Sequence, residues 1–133
     1  GLWFSVQGEY DWNWWCRGED FRVDYLSYEH KIHLNKDANI LCMTDPVQLG
    51  YFTKKYPMPM GLFPFDGDSH QINWHEVRKD YQGIIIPIYL WSCRLAQETM
   101  WYYGWDCASG CIWDLDAIES FECITAMELI NEI

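Results

Sequence analysis

The sequence predicts an α+β domain. Short runs rich in β-branched and aromatic residues alternate with short stretches that carry helix-start signals. Half of the 133 residues are hydrophobic and 18% are aromatic, enough to bury a real core without covalent staples. No repeat, low-complexity tract or linker divides the chain, so a single domain is expected over residues 1–133.

The chain opens on Gly1-Leu2-Trp3-Phe4-Ser5-Val6, which reads as a strand. The next stretch, from Gly8 to Phe21, is aromatic but broken by glycines, and suggests a short helix or turn covering a sheet edge. From Tyr28 to Leu34 the side chains alternate, with Tyr28, His30, Ile32 and Leu34 on one face, as in a half-buried strand. A turn then leads to a second short strand, Asn39 to Met43. Thr44 or Asp45 is placed to cap a helix that has Pro46 at its first position and Leu49, Phe52 and Tyr56 on one face. The segment from Pro57 to His70 is rich in proline and glycine and predicts a loop.

Residues Ile72 to Tyr81 suggest a short helix with Ile72, Val77 and Tyr81 as core contacts. Gly83 ends it, and Ile84 to Trp91 is the most apolar strand of the chain, with Pro87 marking an edge or bulge. A closing strand is expected at Cys111 to Trp113. Asp116, with Glu119 three residues on, then resembles a capping box. It predicts a helix with Ile118, Phe121, Cys123 or Ile124, and Leu129 or Ile130 on its apolar side.

The formal net charge is −11, and the stretch from Asp114 to Ile133 contains acids but no Lys, Arg or His. Such a balance argues against broad contact with a nucleic-acid backbone, and suits a basic protein partner. The six cysteines have largely apolar neighbours and read as reduced, mostly buried thiols, which points to the cytoplasm. No apolar run approaches the ~18 residues of a membrane span, and no basic, apolar leader is visible; membrane contact is not expected.

Trp101 to Ile118 concentrates aromatic rings and two thiols around a Ser-Gly pair. Cys107 and Cys111 are spaced too widely for a zinc knuckle and lack two further ligands nearby, so no metal is expected. Asp106 beside Cys107 disfavours a thiolate nucleophile. His75-Glu76 lacks the spacing of a zinc deaminase. His30 and His33 fall on opposite faces of a strand and cannot chelate one ion; His30 reads as a hydrogen-bonded core residue.

The order of the pieces resembles the ADP-ribosyltransferase-like, NAD-binding fold. Gly1-Leu2-Trp3-Phe4-Ser5 looks like the family's G-x-[YFW]-[FV]-[ST] strand. Tyr81-Gln82-Gly83-Ile84 is similar to its Y-D-G-I segment, with Gln82 in place of Asp. Ser109-Gly110-Cys111-Ile112-Trp113-Asp114 through Ile118 looks like the closing strand. The resemblance implies a small, twisted, mostly antiparallel split sheet with short flanking helices. It also implies NAD as substrate, cleavage of the nicotinamide–ribose bond, and transfer of ADP-ribose to a protein acceptor or to water. Trp3, Ser5, Tyr102 and Trp105 are then the expected NAD-lining residues. The closing strand carries Ser109 where the family places an acid, so Asp106 and Glu98 become substitute carboxylates, with Ser109 as a ribose partner. The family's first His or Arg belongs to a strand ahead of the one that Gly1 to Ser5 resembles. The alternative is a non-catalytic, acidic immunity or inhibitor protein whose C-terminal helix plugs a basic surface.

Overall fold

A computed structural model describes residues 1–58 and 71–124. It combines helices with two small sheets, as the α+β expectation requires. The strands are β1 (Leu2–Ser5), β2 (Glu29–Leu34), β3 (Ile40–Cys42), β4 (Gly83–Ile86), β5 (Ser109–Ile112) and β6 (Ile118–Ile124). The α-helices are α1 (Trp12–Glu19), α2 (Pro46–Lys55), α3 (Trp74–Asp80) and the single turn α4 (Trp91–Arg94), with a 3-10 run at Gln97–Gly104.

The larger sheet has the order β1-β5-β4-β3; its first two pairings are antiparallel and β4–β3 is parallel. An antiparallel ribbon, β2–β6, forms the second sheet. Local chemistry explains the helix starts. Asp45 accepts a hydrogen bond from the Gln48 amide at 2.9 Å, and Pro46 follows at the first helical position. Asp11 caps α1 in the same way through the Trp14 amide.

One face of the larger sheet meets the helices. Leu49 and Phe52 of α2 and Val77 of α3 pack with Ile84 and Ile86 of β4 in one cluster that also takes in Tyr102 and Trp105. Each fully buried Leu or Ile here contributes about 1.5–3 kcal/mol of burial energy. At the far end, Gln82 ties three strands together. Its backbone N–H donates to the Asn39 carbonyl, its side-chain oxygen accepts from the Asn39 amide at 2.8 Å, and its side-chain N–H donates to Asp114 at 3.1 Å. The residue that stands where the Y-D-G-I pattern has Asp is thus a sheet tether.

Several expectations need correction. Ile118–Ile124 is a strand, not a helix: Asp114 caps only the 3-10 turn Leu115–Ala117, and the chain then pairs along β2. Phe121 lies opposite Ile32 and Glu122 opposite Lys31, and Glu122 also reaches His33 at 3.1 Å. These cross-strand pairs overrule a short apolar pattern that suits either period. Leu129 and Ile130 lie outside the described residues, as does most of the expected loop from Pro57 to His70. The apolar strand from Ile84 stops at Ile86, because Pro87 has no N–H to donate, and Trp91 already belongs to α4. His30 is exposed, since the β2–β6 ribbon buries none of the β2 side chains fully. No helix among the described residues is long and apolar enough to cross a membrane.

Gly110 in β5 admits no side chain. A Cβ there would come within 2.6 Å of the Ile84 carbonyl oxygen and would also strike the Phe4 ring. Gly110→Ala is expected to destabilise the fold by about 1–3 kcal/mol, read as a lower urea midpoint with an unchanged slope; an unaltered midpoint would show that β5 can shift away from both the Ile84 carbonyl and the Phe4 ring at no cost.

Candidate functional site

The antiparallel register places Trp3 opposite Cys111 and Ser5 opposite Ser109. Opposed residues point to the same side of a sheet, and this is the side on which Ile84 and Ile86 are covered by the core. At the β1 edge that cover ends: Trp3 is 59% exposed, whereas Ile84 is fully buried. A cleft of about 310 Å³ opens there. Trp3, Ser5, Trp12, Trp105, Asp106 and Ser109 line it, together with Cys107.

Each wall is held by identifiable contacts. Trp105 stands 4.8 Å from Trp3, ring centre to ring centre, at an edge-on angle of 66°. Behind it Tyr102 is completely buried and stacks on it at 6.2 Å and 20°. The Tyr102 hydroxyl accepts from the Leu90 amide at 3.0 Å, while Tyr89 donates from its own hydroxyl to the Trp105 carbonyl at 2.7 Å. Burial drives the Tyr102 phenol well above its ordinary range. On the opposite side Trp12 stacks on Trp15 at 5.0 Å and 9°, and its amide donates to Ser5 Oγ at 2.9 Å. The Val6 amide donates to the Ala108 carbonyl, and the Ala108 amide to that of Tyr10, closing the floor.

Five of the residues expected at an NAD cleft therefore meet in one place: Trp3, Ser5, Trp105, Asp106 and Ser109. Tyr102 supports Trp105 from beneath and does not line the cleft. Glu98 sits at the start of the 3-10 run, exposed, beside a separate hollow that includes Lys54 and Thr53. Ser109 is buried and its hydroxyl donates to the Cys107 carbonyl at 2.9 Å, so its first commitment is to the backbone. Trp12 was not singled out from the sequence. The signal was present in the expectation that the segment after β1 covers a sheet edge, because whatever covers β1 must approach Trp3 and Ser5.

Charge is asymmetric at this cleft. Asp106 is half-buried, no Lys, Arg or His shares its lining, and it forms no ion pair among the described residues. The Trp105 indole N–H is buried without an acceptor among the described residues, a state that costs about 1–3 kcal/mol. All six cysteines are free thiols. Cys107 is buried, and desolvation first, with the Asp106 charge adding to it, pushes its thiol up to about 11. A thiol held protonated at neutral pH is a poor nucleophile. No group of three His, Cys, Asp or Glu able to hold a metal ion occurs among the described residues.

No protein-family model, curated protein or solved structure matches this chain. The resemblance to ADP-ribosyltransferase-like domains rests on the sequence residues quoted for it alone.

The cysteine environment has a measurable consequence. Cys42 and Cys123 are exposed and are expected to react with a thiol reagent at neutral pH while Cys107 stays protected, as mass spectrometry of the labelled chain would report. The folded state holds the Cys107 proton more tightly than the unfolded chain does. Its contribution is therefore constant below the ordinary thiol value of 9.0 and becomes destabilising as pH rises towards about 11. Thermal unfolding followed across that window should show a falling midpoint, and a smaller fall in Cys107→Ala.

Proposed function

We propose that this protein binds NAD in the cleft between β1, α1 and the Trp105–Ser109 segment, and that it cleaves the nicotinamide–ribose bond in the manner of ADP-ribosyltransferase-like proteins. One observation carries the reading: a carboxylate, Asp106, lies in a tryptophan-walled cleft whose lining contains no cation. Such a cleft suits a flat, positively charged ring. Indole faces attract cations through their quadrupole, and an uncompensated carboxylate adds direct attraction. The nicotinamide of oxidised NAD is such a ring.

In this reading Trp3 and Trp12 hold the pyridinium and Trp105 backs it. The glycosidic C–N bond breaks, its electron pair passes to the nicotinamide nitrogen, and nicotinamide leaves as a neutral molecule. Positive charge develops on the ribose carbon, where pre-placed Asp106 stabilises it. Water or a nucleophilic side chain of an acceptor protein then donates an electron pair to that carbon and releases a proton to solvent. Ser5 is the hydroxyl best placed to donate to the ribose, since its Oγ accepts from the Trp12 amide and keeps its proton, whereas Ser109 spends its proton on the Cys107 carbonyl. Six free thiols favour a reducing compartment, the cytoplasm.

A second reading has its own support. The net charge of −11 and the exposed Glu119 and Glu122 of β6 suit a basic protein partner. Binding of that kind would weaken with salt and ignore nucleotide.

The test is titration with N-methylnicotinamide methylated on its ring nitrogen, a cationic ring without the rest of NAD, followed by tryptophan fluorescence, and then release of nicotinamide from NAD. Asp106→Asn is expected to weaken ring binding about tenfold, the scale of one charged contact, and to abolish release. Ring binding unaffected by the substitution would remove Asp106 from the site and the NAD reading with it.

A further inference from the structure

A second cleft, of about 390 Å³, adjoins the first and shares two of its walls, Trp3 and Trp105. Its remaining lining has the opposite electrical character. Arg78 and His75 project from α3, and Trp74, Trp113, Ile84 and Cys111 supply apolar surface. Trp74 and Arg78 are four residues apart on α3 and so lie on one helix face. Trp113 is fixed in orientation because its indole N–H donates to the Tyr81 carbonyl at 2.7 Å, and its ring stands 6.2 Å from that of Trp74. Between the two clefts stands Trp105, with its buried, unpartnered N–H.

We infer that this second cleft is a subsite for the phosphate-bearing end of a nucleotide, with Arg78 pairing to the phosphate and the Trp74–Trp113 corner taking the flat base. Three features support this assignment. An exposed guanidinium stays charged at any working pH and forks onto phosphate oxygens through paired N–H donors. It makes no ion pair among the described residues. The surface as a whole repels anions at a net charge of −11, so a phosphate can settle only beside a local cation backed by apolar walls. Flat bases stack on indole faces regardless of their identity, each contact worth roughly 1–3 kcal/mol.

Asp106 and Arg78 thus line two separate clefts that share the Trp3–Trp105 pair, a negative pole in one and a positive pole in the other. A ligand that spans both must carry a cationic ring at one end and a phosphate with a flat base at the other. As the second half of a dinucleotide site, the assignment rests on the reading of the first cleft; as a nucleotide subsite, it is tested separately.

The experiment is fluorescence titration of the full chain with adenosine monophosphate, adenosine and N-methylnicotinamide, using wild type, Arg78→Gln and Asp106→Asn. Arg78→Gln is expected to weaken adenosine monophosphate binding about tenfold, while adenosine and N-methylnicotinamide bind as before. Asp106→Asn should show the converse, weakening N-methylnicotinamide binding about tenfold and sparing the nucleotide. Arg78 is exposed, so an unchanged melting temperature serves as the folding control. Adenosine monophosphate bound equally by wild type and Arg78→Gln, or by neither, overturns the subsite even when N-methylnicotinamide binds. Arg78-dependent nucleotide binding without any N-methylnicotinamide binding supports the subsite and defeats the nicotinamide reading alone.

Discussion

The candidate site depends on a reciprocal clasp between two buried tyrosines and the backbone that crosses them. Tyr89 donates its hydroxyl proton to the carbonyl of Trp105, and Tyr102 accepts from the amide of Leu90. Each phenol satisfies a backbone group from the other's segment. Both lie among apolar side chains where an unpaired polar atom would be costly. The clasp binds the chain leaving β4 to the chain approaching β5, and so holds the 3-10 run of Gln97–Gly104 across the core. Trp105 is pinned at its backbone by Tyr89 and at its ring by Tyr102, and Asp106 and Cys107 follow it directly. Without that anchor the wall between the two clefts would have no fixed position.

Aromatic side chains here do two kinds of work, and burial separates them. Tyr102, Trp105 and Phe52 are enclosed and supply packing area. Trp3, Trp12 and Trp74 are each held on one side by another ring, yet remain at least 37% exposed. A large apolar ring held half out of the core is poorly used as packing. It is well used as a wall, because rigid rings lose little entropy when a ligand meets them. The two poles of charge, Asp106 and Arg78, sit on this wall and not in the core, where desolvating either would be prohibitive.

Much of the candidate site could be read from residue type and order. The aromatic and hydroxyl residues of β1 and the Trp105–Ser109 stretch were each identifiable as strand or strand-flanking segments, and antiparallel pairing of β1 with β5 brings them together. The second cleft was not legible. Arg78 and His75 sit in an ordinary short helix, and only the burial of its Val77 with the β4 isoleucines carries that helix to a cleft that Trp3 also lines. Glu98 and Tyr102 lie near Asp106 in the chain but not at the cleft, because a kink at Thr99 and burial of the phenol turn them elsewhere.

Local chemistry was enough for the helix start at Asp45-Pro46 and the mixed α+β character. Each depends on a few neighbouring atoms: a carboxylate that can reach an amide two or three residues on, or a ring that removes a donor. The fate of Ile118–Ile124 was decided differently. Its apolar residues fit a helical face or a strand, and the choice fell to β2, a distant segment that offers Ile32 to Phe121 and Lys31 to Glu122. Pairing energies of that sort arise only when remote residues meet. The same holds for the two clefts, since the meeting of the Asp106 cleft and the Arg78 cleft at Trp3 and Trp105 is a property of packed elements and has no counterpart along the chain.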